Sequence, residues 1–214
     1  MVYVIFICFA VPLALMLPML KSQSRMLIGF MLIGSAVAVS AAEVNSLLQQ
    51  LLDLQALDVS LRVAPVTEEV MKAVPVLLYA LLVSDEDKKV LPLAMAVGIG
   101  FAILENTYYL INNLQFVSMS WAFVRGVSAS LSHGLCTYIV GGGIRYIRRQ
   151  KIFFFSGIFG LLTLAITLHA TYNLLIVSQW DIWGMLMPII IYTAAQCILR
   201  KDTIHSLVRQ IVKR

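Results

Sequence analysis

Residues 65–75, PVTEEVMKAVP, place two glutamates and a lysine inside a stretch that is otherwise apolar. The chain around them has the composition of a membrane protein, because 60% of its 214 residues are hydrophobic and only 13% are charged. An ordinary soluble domain carries about 25% charged residues. Charged groups are costly inside a bilayer. The stretch therefore indicates either a water-exposed turn or a polar site within a helical bundle.

Apolar runs of about 20 residues are long enough to cross a bilayer, and they predict an all-α bundle of seven transmembrane spans. A segment between the second and third runs, residues 43–62, has leucines at helical spacing among polar residues, which predicts an amphipathic surface helix or a re-entrant helix. We expect one transmembrane domain over residues 1–214. The predicted spans are 2–20, 26–42, 64–83, 90–112, 119–144, 152–178 and 182–199.

The basic residues lie mainly in short loops on one side of this topology. If the N-terminus is outside, most of the 16 Lys and Arg residues face the cytoplasm, as the positive-inside rule requires. The tail at 200–214 is then cytoplasmic. Because the basic residues separate apolar spans and form no folded patch, a nucleic-acid partner is not expected. The partner implied by composition is the lipid bilayer.

Seven ionisable groups fall inside the predicted spans, whereas every aspartate lies in a loop, a tail or the predicted surface helix. At a rise of about 1.5 Å per residue, carboxylates and imidazoles from four helices reach a similar depth in the outer half of the membrane. Such groups should face the bundle interior and contact one another. The seven are Glu68, Glu69, Lys72, Glu105, Arg125, His133 and His169.

Local spacing supports a shared site. Lys72 follows Glu68 by four residues and Glu69 by three, so it can pair with either carboxylate on one helix face. His169 and Asn173 are also four residues apart, so both can point to one place. Each of these residues could instead have a purely structural role, as part of an ion pair or as a packing histidine that holds helices together.

Small residues predict close helix packing beside these groups. Gly126, Ser130 and Gly134 form two successive small-xxx-small steps in the predicted span 119–144. Gly98 and Gly100 precede Glu105 in the same way. Small side chains let neighbouring helices approach closely.

Carboxylates, imidazoles and an amide together suit the activation of water. A glutamate can take a proton from water, which attacks a carbonyl, while histidine and asparagine stabilise the oxyanion and protonate the leaving amine. The same groups could hold a metal ion, zinc above all, with one position open. The sequence leaves the need for a metal open. The candidate ligands are Glu69, Glu105, His133 and His169.

This sequence lacks the residues that other known classes of membrane protease require. No HExxH sequence is present, so the usual zinc-binding helix is missing. No aspartate lies in a predicted span, which excludes a site built from two aspartates. GVSAS at 126–130 lacks the last glycine of a GxSxG nucleophile turn. Glutamate and histidine are therefore the candidate chemical groups.

Four segments resemble the motifs of the PrsW-type membrane proteases. EEVMK at 68–72 resembles their EExxK motif, and GFAILENTYYL at 100–110 resembles their second motif. RGVSASLSH at 125–133 supplies the Arg and His of the third, and LHATYN at 168–173 the final His and Asn. The four occur in order, each on its own predicted span, within a motif-bearing core at about residues 60–178.

The resemblance implies a glutamate-dependent intramembrane protease, in the broader group that includes CAAX prenyl proteases and the Aph-type subunit of gamma-secretase. Its substrate would be a single-span, anti-sigma-factor-like membrane protein, cut near its outer end in a bacterial-type plasma membrane. Lys72 stands where CAAX-type enzymes have arginine, which disfavours prenylated substrates. The implied catalytic residues are Glu68, Glu69, Glu105, His133 and His169. The supporting residues are Lys72, Asn106, Arg125 and Asn173, the last matching the His-xxx-Asn step of the CAAX type.

Two other functions stay open at this point. In a non-catalytic scaffold similar to the Aph-type subunit, the same polar residues would only join helices. In a proton-coupled transporter, glutamate and histidine would form a proton relay. The absence of a detectable repeat in the sequence disfavours the transporter.

Overall fold

The computed structural model describes residues 2–83, 87–149 and 154–212, and over these ranges the chain forms helices and no strand. The predicted all-α bundle is confirmed. A short helix α3 (Ala56–Asp58) continues through a π-helical turn (Val59–Val63) into α4. The seven long helices are α1 (Val2–Met16), α2 (Ser22–Leu51), α4 (Ala64–Leu82), α5 (Asp87–Asn112), α6 (Met119–Arg149), α7 (Phe154–Ile176) and α8 (Asp181–Val212).

Among the described residues, four stretches of helix are long and apolar enough to cross a membrane, namely Val2–Met19, Ser22–Leu51, Lys89–Asn112 and Ser156–Ile176. The predicted basic tail begins within α8, which runs on to Val212. The basic residues of 150–153 and 213–214 lie outside the described residues.

Helix α4 is polar on the inside and apolar on the outside. Its exposed face carries Val66, Val70, Val74 and Leu78, each four residues from the last and each 42–51% exposed. Glu68, Glu69 and Lys72 are buried on the opposite side. An apolar stripe outside and a charged stripe inside is the arrangement that a lipid environment favours.

The prediction of a separate surface or re-entrant helix over residues 43–62 is wrong. Helix α2 continues to Leu51 and then ends at a left-handed residue, Asp53, with φ of 48°. The Leu54 N–H donates to the Gln49 carbonyl over 3.0 Å, which is the capping bond of a Schellman motif. No glycine or proline interrupts 43–51, so α2 has no reason to end sooner.

The bundle core joins α4, α5, α6 and α7, and α5 packs most extensively against α6 and α2. Glycine permits this packing. A Cβ at Gly98 would lie 2.7 Å from the carbonyl carbon of His133, and a Cβ at Gly100 would collide with the backbone of Met31 on α2. The predicted close approach at Gly98 and Gly100 is thus confirmed. Gly126 takes no part, because a Cβ there would meet nothing within 4 Å.

Candidate active site

The charged face of α4 is organised by Lys72. Its ammonium lies 2.6 Å from Oε1 of Glu69, and both side chains are fully buried. Of the two carboxylates within its reach, Lys72 therefore pairs with Glu69. Its Nζ also lies 4.5 Å from the ring centre of Phe101 on α5. A buried charge of this kind is retained only when it is paired, so Lys72 and Glu69 depend on each other.

His169 on α7 joins the two glutamates, as the depth argument predicts. Its Nδ1 lies 2.7 Å from Oε1 of Glu69. An ionised carboxylate only accepts hydrogen bonds, so Nδ1 carries a proton and donates it. The other ring nitrogen, Nε2, faces Oε2 of Glu68 at 3.8 Å. That separation exceeds a direct hydrogen bond.

His133 on α6 uses both ring nitrogens within the bundle. Nδ1 lies 2.9 Å from Lys72 Nζ, and Nε2 lies 2.9 Å from Oε2 of Glu105. An ammonium can only donate and a carboxylate can only accept. His133 is therefore the tautomer with its proton on Nε2, accepting from Lys72 and donating to Glu105. The rings of His133 and His169 meet edge to face with centres 4.9 Å apart.

Arg125 closes the site beside Glu105. Its Nη2 lies 3.6 Å from Oε2 of Glu105, and its guanidinium stacks 3.9 Å from the ring centre of Tyr109. Arg125 is 19% exposed and Glu105 is 22% exposed, against 0% for Glu69. Of these charged groups, the ones at the Glu105 side are the most accessible.

The two predicted asparagines have structural partners. Asn173 donates from Nδ2 to the carbonyl oxygen of Ser60 over 2.9 Å, so its amide supports the π-helical turn before α4 and does not join His169. Asn106 donates to Oγ of Ser130 over 3.4 Å and to the carbonyl of Arg125 over 3.5 Å. Asn106 thus links α5 to α6 near Glu105.

Sequence reasoning misses one polar neighbour of the site, Asn45 on α2. Its Nδ2 lies 3.3 Å from Oε1 of Glu68, and its Oδ1 accepts a hydrogen bond from Thr67. Asn45 lies among glutamines and leucines that suit a surface helix equally well, so its sequence context gives no signal. The missing information is the continuation of α2 past residue 42.

In both Glu68 and Glu69, Oε2 is buried and has no hydrogen-bond partner. The two differ at Oε1, which accepts from the neutral amide of Asn45 in Glu68 and is bound by Lys72 and His169 in Glu69. Glu68, His133 and His169 each offer a ligand atom, and the three atoms lie within 4.8 Å of one another. Of the ligands expected from the sequence, His133 and His169 belong to this group. Glu69 and Glu105 instead bond the two imidazoles.

This donor set fits a metal ion such as zinc. Three protein ligands of Glu and His type, with one position open, are the usual composition of a catalytic zinc site. A histidine that binds a metal through one ring nitrogen commonly donates a hydrogen bond from the other to a carboxylate. Glu69 is that carboxylate for His169, at Nδ1. His133 would join only by exchanging one of its present partners, since both its nitrogens are bonded.

Comparison with known families identifies the family of the chain. The model of the PrsW family intramembrane metalloprotease matches residues 22–199. That stretch includes all the polar residues described above, Asn45 among them. No curated protein and no solved structure matches the chain. The family and the apolar helices make this an integral membrane peptidase. The chain belongs to the PrsW family of intramembrane metalloproteases.

Proposed function

We propose that this chain hydrolyses a peptide bond of a single-span, anti-sigma-factor-like membrane protein near its extracytoplasmic end, with Glu68 as the base that activates water. The observation that carries the proposal is the buried Oε2 of Glu68, which lacks a hydrogen-bond partner and faces His169 Nε2 at 3.8 Å. That separation is too long for a direct hydrogen bond, so Oε2 is left able to accept a proton from a substrate water. Oε2 of Glu69 also lacks a partner, but Lys72 and His169 both bind its Oε1, so the charge of that carboxylate is already balanced.

In the proposed reaction, Oε2 of Glu68 takes a proton from water as its oxygen bonds to the substrate carbonyl carbon. The carbonyl becomes an oxyanion, which the Nε2–H of protonated His169 stabilises. Glu69 balances the charge on that imidazole. When the C–N bond breaks, Glu68 returns its proton to the leaving amine. Fixed donors placed where charge develops are typically the largest contribution to catalysis of this kind.

The other polar residues hold this pair in place. Lys72 fixes Glu69, and through Nδ1 of His133 it also orients the imidazole that contacts Glu105. Arg125 balances the charge of Glu105. If Glu68, His133 and His169 hold a metal ion, the ion lowers the pKa of bound water and polarises the carbonyl.

The function is tested by cleavage of a co-reconstituted single-span substrate by purified protein, with and without a chelator, beside elemental analysis of the protein. We expect cleavage within the outer part of the substrate's span. A metal requirement would appear as loss of cleavage with chelator and recovery with zinc. A wild-type protein that is folded, metal-replete and unable to cleave any such substrate would contradict the proposal.

We further propose a single transmembrane domain of seven spans, with the N-terminus outside and the basic tail at 200–214 in the cytoplasm. The asymmetry of the basic loops supports it. We expect a reporter fused after Arg214 to be active only inside the cell, and a reporter in the α5–α6 loop at Gln115 to be active only outside. The opposite pattern would reverse the topology and move the proposed cleavage to the cytoplasmic side.

A further inference from the structure

Asn45 contacts Glu68 from a helix that carries none of the four sequence motifs. The Asn45 amide is oriented by its partners. Because ionised Glu68 can only accept, the amide NH2 faces its Oε1. The amide oxygen then faces Thr67, whose hydroxyl donates to it. The order of donors is thus fixed from Thr67 through Asn45 to Glu68.

We propose that Asn45 is a positioning residue for the reaction, which holds Oε1 of Glu68 so that Oε2 alone faces His169. This inference depends on the proposed role of Glu68 as the base. A terminal carboxylate torsion has a broad energy profile, so an unheld Glu68 could present either oxygen or turn toward another donor. The hydrogen bond from Asn45 to Oε1 restricts rotation about this torsion, and so it also fixes the direction in which Oε2 points.

Glu68 and Glu69 differ in the charge of the group that binds them. Lys72 binds Glu69 with a full positive charge, which neutralises that carboxylate. Asn45 donates a hydrogen bond without bringing a charge, so Glu68 keeps its negative charge for the proton transfer. A lysine or arginine at position 45 would orient Glu68 equally well and would also neutralise it.

The extension of α2 past residue 42 is what places Asn45 there. Helix α2 packs against α4, and its last turns bring Asn45 alongside Thr67 and Glu68 at the start of α4. The extension of α2 therefore contributes the Asn45 side chain to the candidate active site.

The first measurement is steady-state cleavage by Asn45→Ala and Asn45→Asp. We expect Asn45→Ala to reduce kcat by about 10–100-fold, the effect typical when a metal-ligating side chain loses the partner that orients it, with KM little changed. Asn45→Asp is nearly isosteric but sets a second carboxylate against Glu68, so its kcat should fall further. Asn112 is the matched control, because its exposed amide donates to the Tyr108 carbonyl of its own helix. Asn112→Ala and Asn112→Asp should keep wild-type kcat.

The second measurement needs no turnover. An infrared difference spectrum between wild type and Glu68→Gln isolates the carboxyl band of Glu68. We expect that band to shift in Asn45→Ala, because its hydrogen-bond donor is gone. Thr67→Val keeps the donor to Glu68 and removes the hydroxyl that orients the amide, together with its contacts to the Val63 and Ala64 carbonyls, and should give a smaller shift. This variant keeps the test available if Asn45→Ala fails to fold.

The two measurements separate the inference from the proposed function. Absence of cleavage by wild-type protein would contradict the function, whereas the infrared band would still report whether Asn45 holds Glu68. An unshifted Glu68 band in folded Asn45 variants, or wild-type kcat in both of them, would overturn the positioning role.

Discussion

Glu68→Gln is expected to reduce kcat by about 10²–10⁴-fold, the usual contribution of general acid–base catalysis, while leaving the folded yield near that of wild type. Glutamine keeps the shape of the side chain and can still accept the Asn45 hydrogen bond through its amide oxygen. Its NH2 group would take the place of Oε2, the buried atom that faces His169. The variant thus loses its proton acceptor with little loss of packing.

Glu69→Gln should behave differently although it is the neighbouring residue. It removes the carboxylate that pairs with buried Lys72, so we expect loss of folded protein together with loss of activity. The measurement is cleavage of the single-span substrate, normalised to folded protein from size-exclusion chromatography. Glu43→Gln is the matched control, because Glu43 is an exposed glutamate on α2. Full activity in folded Glu68→Gln would rule out Glu68 as the base.

The sequence predicts the members of the site better than their pairings. Charged groups in an apolar span must find partners, and this argument alone gathers Glu69, Lys72, Glu105, His133 and His169. Spacing cannot decide which glutamate Lys72 takes, because the third and fourth residues along a helix are both within reach. The structure decides it through His169, which fixes Glu69 between a lysine and an imidazole.

Two polar residues show why other details could not be predicted. Asn173 lies one turn after His169, yet its amide bonds to Ser60 in the π-helical turn, a backbone feature that no pattern in this sequence predicts. The sequence also fails to identify Asn45 as a site residue, for a related reason. Polar residues on a helix face indicate contact with something polar, and the sequence alone does not say whether that is water or a buried glutamate.

Lys72→Met is expected to lower the free energy of unfolding by about 3–5 kcal/mol, the usual effect of removing one partner of a buried ion pair. Methionine fills much of the same volume, so the loss comes from charge and hydrogen bonding. It leaves Glu69 buried beside one histidine, and it leaves Nδ1 of His133 without its donor. The measurement is unfolding in mixed micelles at increasing fractions of denaturing detergent. Lys21→Met, at an exposed lysine before α2, is the control.

The double variant Lys72→Met/Glu69→Gln separates charge from packing. Replacing both partners of a buried pair by neutral groups is often close to neutral for stability, so we expect the double variant to regain most of the lost stability. Its cleavage should stay well below wild type, because the neutral amide at position 69 cannot balance a protonated His169 in the oxyanion step. Recovery of full cleavage along with stability would show that the Lys72–Glu69 pair serves folding alone. The proton transfer would then need Glu68 and His169 without a charged partner.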